Sequence, residues 1–185
     1  MSVHLARHLF TVEDFHRMAE ARVFSEDDRV ELLEGEIIEM TPIGSRHAAC
    51  VARLTALLSS VQGKAIVWVQ NPIHLSEHSE LQPDVALLRP RADYYAQAHP
   101  GPEDVFLVVE VAETTAVNDR EVKVPLYARA GIAEVWLVDL SAETIEVYCR
   151  PAPQGYQERR LLRRGDRAAP QTLSALELAV TDMLG

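Results

Sequence analysis

The chain has 185 residues, a formal net charge of −10 at pH 7 and hydrophobic residues at 48% of its positions, which predicts one globular domain spanning residues 1–185. The negative charge argues against an extended groove for nucleic acid, although it allows a small catalytic contact with a phosphate. No apolar run is long enough to cross a membrane, and the N-terminus lacks the apolar core of a signal peptide. Cys50 and Cys149 lie in apolar contexts, so we predict reduced core cysteines in a cytoplasmic protein.

The first third of the chain predicts a helix, a hairpin and a longer helix. Thr11 begins a capping-box pattern, and a short helix should follow as far as Ala21. Residues 30–40 alternate in a way that is typical of a β-hairpin turning near Gly35. Ser45 is then expected to cap a helix with apolar residues at helical spacing, ending at Gly63.

The rest of the chain predicts mainly strands, with one further helix. That helix covers residues 118–130, and Pro125 must either kink it or mark the start of its regular part. The strands are expected at residues 65–69, 84–88, 105–112, 134–139, 144–150 and 156–162. This order of elements indicates an α/β or α+β protein in which helices pack against one central sheet.

Glu110 is the most unusual residue of this pattern, because it is the one charged side chain in the apolar run 105–112. A carboxylate in a buried strand is costly to desolvate unless a cation or hydrogen-bond donors compensate its charge. One plain explanation is a strand-end carboxylate that pairs with an arginine such as Arg120. A functional site is the other explanation, since Asp84 begins another apolar strand and Lys123 follows in the next helical segment.

Two carboxylates and a lysine around a sheet are the parts of a metal-dependent phosphodiesterase site. Mg²⁺ prefers oxygen ligands and usually takes only one or two carboxylates, which Asp84 and Glu110 could supply from neighbouring strands. The cation would activate a water molecule and polarise a phosphoryl oxygen. Lys123 could orient that water and stabilise the developing negative charge. Asp119 and Glu121 bracket the same segment and could support the site from outside.

Longer motifs around these residues carry a resemblance to a known family. Over about residues 30–139 the chain resembles the restriction-endonuclease-like domains common in cyanobacteria and in Deinococcus–Thermus bacteria, a branch of the PD-(D/E)xK nuclease superfamily. The motifs that carry the resemblance are Glu31-Leu32-Leu33-Glu34-Gly35-Glu36-Ile37, Ser45-Arg46-His47, Pro83-Asp84-Val85, Val109-Glu110-Val111, Asp119-Arg120-Glu121-Val122-Lys123 and the run from Leu126 to Asp139.

The resemblance implies a restriction-endonuclease-like core with a central mixed β-sheet flanked by helices. It also implies Mg²⁺ as the cofactor, with Mn²⁺ able to replace it, and DNA as the substrate. Asp84 and Glu110 would be the metal ligands and Lys123 the catalytic lysine. The superfamily often adds a glutamate from an early element, for which Glu31 is our choice. His47 could contact a phosphate, although a histidine at the start of a helix is often only a polar surface group.

One position departs from the basic motif of the superfamily. The superfamily's lysine falls two positions after the second acid, where this chain has Ala112. In the family that the chain resembles, the lysine moves to the following helix, and Lys123 fits that pattern. The hypothesis therefore depends on whether the Lys123 side chain can reach Glu110.

Two hypotheses of function stay open at this point. The first is a Mg²⁺-dependent DNA endonuclease or nickase, expected as a homodimer because double-strand cleavage needs two active sites and oligomers are usually two-fold. The second is a catalytically inactive protein of the same fold that acts as an interaction or regulatory module, which the acidic composition favours.

A third hypothesis comes from the segment His74-Leu75-Ser76-Glu77-His78, which matches the H-x-x-E-H pattern of some zinc proteases. That chemistry requires a helix that places both histidines on one face. Prolines flank the segment, and residues 73–82 lack helical apolar spacing, so we expect a loop or a short strand there instead.

Overall fold

The protein folds around a central six-stranded β-sheet. The structure, a computed structural model, describes residues 7–25, 27–61 and 63–185. The strands are β1 (Val30–Leu33), β2 (Glu36–Glu39), β3 (Ile66–Val69), β4 (Ile73–Ser76), β5 (Ser79–Leu81), β6 (Val85–Leu88), β7 (Val105–Ala112), β8 (Glu134–Asp139), β9 (Thr144–Ala152), β10 (Gly155–Arg163), β11 (Arg167–Ala168) and β12 (Leu178–Ala179). The helices are α1 (Val12–Glu20), α2 (Ser45–Leu58), α3 (Ala116–Asn118), α4 (Val124–Ala130) and α5 (Val180–Leu184). A π-helical turn, Asp119–Lys123, joins α3 to α4.

The central sheet is mixed and has the spatial order β10-β9-β8-β7-β6-β3. Strands β7 and β8 are parallel, whereas the other neighbouring pairs are antiparallel. The parallel pair needs a crossover connection, and the helical segment from α3 to α4 provides it. The predicted central mixed sheet flanked by helices is therefore confirmed.

The two faces of the central sheet pack against different partners because successive side chains of a strand point to opposite sides. Val109 and Val111 of β7 lie in the same apolar cluster as residues of α2 and α5. Val108 and Ala112 lie in the other cluster, with Tyr127 of α4 and residues of a second sheet. Glu110 follows the parity of Val108 and Ala112, so its side chain lies on the face that α4 covers.

The second sheet has four strands in the order β2-β1-β5-β4. The sequence pattern did not predict two of them, β4 and β5, as a hairpin. Residues 73–82, expected as a loop or short strand, form the hairpin of β4 and β5. Its strands are short, and its turn at Glu77 and His78 has no glycine, asparagine or proline to mark it. Helix α1 docks on this turn, since the Val12 N–H donates to the Glu77 carbonyl oxygen at 2.8 Å.

Three predicted helix boundaries need correction or refinement. Gly44 rather than Ser45 is the N-cap of α2, and the α-helix ends at Leu58 before a 3₁₀ turn, short of Gly63. Pro125 lies in the first turn of α4, directly after the π-helical turn, so the regular helix begins there. Gly131 ends α4 in the left-handed conformation, with φ of 84°.

Two further predictions concern the burial of the cysteines and the absence of a membrane-spanning helix in the described residues. Cys50 and Cys149 are both buried and unpaired with each other, as predicted for core cysteines. Within the described ranges, the helices are too short and too polar to traverse a bilayer.

Candidate active site

A pocket of about 290 Å³ opens beside the ends of β6 and β7. The charged and histidine side chains expected in a nuclease site all line it, together with Arg29, Asp119 and the start of α2. The residues expected there from the sequence are Glu31, His47, Asp84, Glu110 and Lys123. The pocket therefore gathers side chains from five separate parts of the chain.

Asp84 immediately precedes β6 and lies beside Glu110 of β7. Val85 is paired with Val109 in the antiparallel ladder, so the next step of the register brings Asp84 opposite Glu110. Asp84 accepts a hydrogen bond from the Val111 N–H at 2.8 Å through Oδ2, and His47 Nε2 lies 2.7 Å from Oδ1. These contacts hold the Asp84 carboxylate at the mouth of the pocket.

Glu110 is only 4% exposed, and its carboxyl group has two partners. The Tyr127 hydroxyl donates to Glu110 Oε1 at 2.6 Å, and Lys123 Nζ lies 3.6 Å from the same oxygen. Arg120, the arginine of the plain explanation, instead pairs with Glu146 at 2.6 Å. The interpretation of Glu110 as an Arg120 partner is therefore wrong.

Lys123 ends the π-helical turn and reaches into the pocket. Its Nζ lies 3.0 Å from Glu31 Oε2 and 3.2 Å from Glu31 Oε1, so the ammonium joins the first hairpin to β7. Glu31 Oε1 also accepts the Gln82 N–H at 2.7 Å. Ala112, where the basic motif of the superfamily has its lysine, is fully buried in the apolar core under α4. Lys123, from the turn that follows β7, therefore approaches Glu110 although β7 has alanine instead of lysine at position 112.

With its acids ionised, the site holds more buried negative charge than positive charge. Four of its carboxylates are buried, against one buried ammonium. The four acids are Glu31, Asp84, Glu110 and Asp119, and the ammonium is that of Lys123. Burial raises the pKa of Glu110 to about 8, and the charge of Asp84 adds to this while Lys123 opposes it. Burial also raises the pKa of Asp119.

Nearby carboxylates raise the pKa of two basic groups of the site, Lys123 and His47. Burial alone would lower the pKa of Lys123, but the charges of Glu110 and Glu31 outweigh it and raise that pKa. The hydrogen bond with Asp84 raises the pKa of His47, despite burial. Lys123 is thus a cation at neutral pH, and it can donate hydrogen bonds but cannot accept a proton.

The donor set fits a hard divalent cation. Carboxylate oxygens are the ligands that Mg²⁺ prefers, and one or two of them suffice. Each carboxylate oxygen has two lone pairs, so the bonds to Val111 and His47 leave Asp84 with acceptor capacity. A cation between Asp84 and Glu110 would offset the charge excess that burial makes costly.

Several residues that line the pocket or contact its acids were not foreseen as site residues. Tyr127 is fully buried, and its hydroxyl binds Glu110. Its position four residues after Lys123 puts both on one helical face, a signal that the sequence contains. Arg29 and Gln70 gave no such signal, and Gln70 Nε2 donates to Asp84 Oδ1 at 3.3 Å. Of the two supporting acids, Asp119 is buried in the site, whereas Glu121 is exposed.

We expect the free energy of unfolding, measured without divalent cations, to fall as the pH rises from about 5 to about 8. Glu110 has a folded-state pKa of about 8 against an ordinary value of 4.5. Below pH 4.5 the Glu110 carboxyl is protonated in both the folded and the unfolded protein, so its ionisation does not affect stability. Between pH 4.5 and about 8 it is ionised in the unfolded protein but still protonated in the folded one, so the folded state loses stability as the pH rises. Urea denaturation at a series of pH values measures this slope.

The Glu110→Gln variant should have a shallower slope over the same pH range. The free energy of unfolding of this variant should still fall somewhat with pH. The pKa of His47 is raised in the folded protein, so the stabilisation from its contact with Asp84 is lost as the pH rises through that pKa. Mg²⁺ should restore stability at pH 8 in the wild type more than in the variant. An identical slope in both proteins would contradict the assignment of the titration to Glu110.

The zinc-protease hypothesis fails on local geometry. His74 lies on β4 and His78 lies in the turn that follows, so the two histidines do not share a helical face. His78 Nδ1 lies 2.9 Å from the Phe10 carbonyl oxygen, which fixes the ring against the segment before α1. The H-x-x-E-H match is a coincidence of sequence in a hairpin.

Comparison with known proteins supports the fold and identifies a family. No curated protein matches the chain. A solved structure that is similar is a putative nuclease belonging to DUF820 from Anabaena variabilis, with a TM-score of 0.73 and 20% identity over 95% of this chain and 97% of that chain. At this identity the similarity concerns the fold. A model of the Uma2 family, described as putative restriction endonuclease, matches residues 12–181. The expected resemblance is thus confirmed, and the chain belongs to the Uma2 family of putative restriction endonucleases.

Proposed function

We propose that the protein is a Mg²⁺-dependent endonuclease that hydrolyses phosphodiester bonds of DNA. The observation that carries the proposal is the excess of buried carboxylates over buried cations around one pocket, with Lys123 in contact with both Glu31 and Glu110. Membership of a family of putative restriction endonucleases supports the same reaction.

Asp84 and Glu110 would hold the divalent cation, for which Mn²⁺ could substitute. When bound, the cation would supply Lewis-acid polarisation of the phosphate and a lower pKa for the attacking water. Tyr127 holds Glu110 through a hydrogen bond of 2.6 Å, and the Val111 N–H holds Asp84 at 2.8 Å. These bonds orient both carboxylates before any ligand arrives, which reduces the reorganisation needed for catalysis.

Lys123 would position the reacting groups. An ammonium has three N–H donors, and the contacts with Glu31 and Glu110 fix its place at the wall of the pocket. A remaining donor can bind the attacking water or a phosphate oxygen and stabilise the negative charge that develops. Because its pKa is raised, Lys123 serves as a donor and not as the general base.

The start of α2 and Arg29 would receive the phosphate. Gly44 and His47 line the pocket, and the N-cap of α2 has no side-chain hydrogen bond, so free N–H groups lie at this helix end. A helix N-terminus favours anions, and Arg29 adds a positive charge to the same wall. These groups would bind a phosphate locally, which reconciles a phosphodiester substrate with a net charge of −10.

Incubation of supercoiled plasmid DNA with the purified protein tests the proposal. We expect nicked or linear products with Mg²⁺ or Mn²⁺ and none with EDTA, and no products from Glu110→Gln under any of these conditions. Single-stranded DNA and RNA of matched length should be included. Cleavage of RNA alone would overturn the choice of substrate, and cleavage that persists in EDTA would overturn the metal dependence.

The alternative is a catalytically inactive protein that uses the same fold as an interaction module. A protein without catalysis has no need to keep Lys123 and four acids buried together at a cost in desolvation, which favours the enzyme. We also propose a homodimer, because cutting both strands of a duplex needs two active sites. Light scattering of the purified protein measures the mass, and a monomer that only nicks DNA would exclude this part of the proposal.

A further inference from the structure

A second cluster of metal-binding side chains lies away from the nuclease pocket. Its members are His16 on α1, Glu80 on β5 and His99 in the segment before Pro100. One ligand atom of each lies within 4.8 Å of those of the other two, and across residues 7–25, 27–61 and 63–185 no other group of three His, Cys, Asp or Glu residues meets that geometry. His16 Nε2 lies 2.8 Å from Glu80 Oε1, and the His16 and His99 rings pack edge to face with 6.0 Å between their centroids.

The cluster lies on the opposite face of the second sheet from the nuclease pocket. Glu80 is paired with Leu32 of β1, and Leu32 packs against Val12 and Phe15 of α1. Glu31 is the neighbour of Leu32 in the strand, so its side chain points to the other face, toward Lys123. Two separate sites can therefore use adjacent residues of one sheet without sharing a ligand.

Glu80 supplies an independent observation that points to a cation at this cluster. Its side chain is 5% exposed, and its Oε2 is buried without a hydrogen-bond partner, the one such side-chain atom in the described part of the chain. His74 Nδ1 is 3.8 Å from Oε2, too far for a hydrogen bond. A buried carboxylate oxygen left unsatisfied is costly, and a bound cation would remove that cost.

We propose that His16, Glu80 and His99 bind a Zn²⁺ ion. Two imidazoles and one carboxylate are a known zinc ligand set, with water in the fourth position, whereas Mg²⁺ selects oxygen-only sites. Tetrahedral bonds of about 2.0–2.2 Å place ligand atoms about 3.4 Å apart, so small side-chain rotations within the 4.8 Å spread suffice. His74 would assist by donating a hydrogen bond to the carboxylate instead of binding the metal.

The ion would connect three parts of the chain. Helix α1 contributes His16, the β4–β5 hairpin contributes Glu80, and the segment that carries His99 follows the central sheet strand β6. The two outer segments already contact the hairpin, through the Val12–Glu77 hydrogen bond and through the His74 N–H, which donates to the Pro100 carbonyl oxygen at 3.0 Å. These contacts bring the ligands together before the metal binds. The ligands then lose little further freedom, which favours binding.

Zinc titration of the full chain tests the proposal in the Asp84→Asn background, which weakens any binding at the nuclease pocket. We expect Zn²⁺ to raise the melting temperature by about 5 °C or more at saturation, and Mg²⁺ to have no such effect in that background. The variants His16→Ala and His99→Ala should abolish the rise, and His74→Ala should reduce it. His8→Ala, which removes an exposed histidine outside the cluster, is the matched control and should leave it unchanged.

Glu80→Gln separates metal binding from a plain hydrogen bond, because glutamine keeps an acceptor for His16 but loses the charge. This variant should fold and should lose at least ~10-fold in zinc affinity by calorimetry. Anomalous diffraction at the zinc edge should give a peak among the three ligands. No peak there, or a rise in melting temperature that survives both His16→Ala and His99→Ala, would overturn the proposal.

Discussion

The Asp84→Asn substitution is expected to lower Mg²⁺-dependent DNA cleavage by on the order of 10³-fold. A divalent cation contributes several kcal/mol of charge stabilisation, and a loss of about 4 kcal/mol corresponds to that factor. Asparagine keeps one oxygen that can accept the Val111 N–H, so the strand contact at the mouth of the pocket survives. Turnover of plasmid DNA and calorimetric titration with Mg²⁺ measure the two consequences separately.

The matched control is Glu143→Gln, which also removes one carboxylate charge. Glu143 forms a surface ion pair with Arg164 at 3.1 Å, and neither residue lines the pocket. Its loss should leave both cleavage and Mg²⁺ affinity unchanged, since exposed pairs contribute about 0–1 kcal/mol. Equal Mg²⁺ affinity in Asp84→Asn and the wild type would exclude Asp84 as a ligand, whatever happens to the rate.

The Lys123→Met substitution should have the largest effect on stability, a loss of about 3–5 kcal/mol in the free energy of unfolding. Methionine matches the length of the lysine stem but leaves Glu31 and Glu110 as buried acids without their cation. Urea denaturation in EDTA measures the loss. Saturating Mg²⁺ should recover part of it, because a bound cation replaces some of the missing charge.

Arg129→Met is the control for the removal of a cation. Arg129 forms an ion pair of 2.8 Å with Glu34, but both side chains are well exposed, so about 0–1 kcal/mol is expected. The double variant Glu31→Gln with Lys123→Met should regain stability relative to Lys123→Met, because one unpaired buried charge is gone. It should not regain cleavage if Lys123 acts on the reacting groups. Restored cleavage would show that Lys123 serves only the fold.

The sequence predicted the structure best where a local apolar pattern corresponds to a buried strand. The apolar run of β7 predicted a buried central strand, and its single acid predicted a cation or donor nearby; both the strand bounds and the contacts of Glu110 agree. The hairpin of β4 and β5 was missed for a local reason. Strands of four and three residues with an unmarked turn carry too few alternating positions to outweigh a loop.

The sequence by itself determined the kind of most main elements, the carboxylates of the site and the family to which they point, because side-chain periodicity and buried charge are local properties of the chain. Only the tertiary structure decided which partners meet. The reach of Lys123 across to Glu31, 92 positions away, depends on the π-helical turn and on the packing of the second sheet. The approach of His16 to Glu80, 64 positions away, depends on α1 docking to a hairpin that the pattern did not reveal. Contacts between distant segments follow from how faces pack together, and no local period encodes that choice.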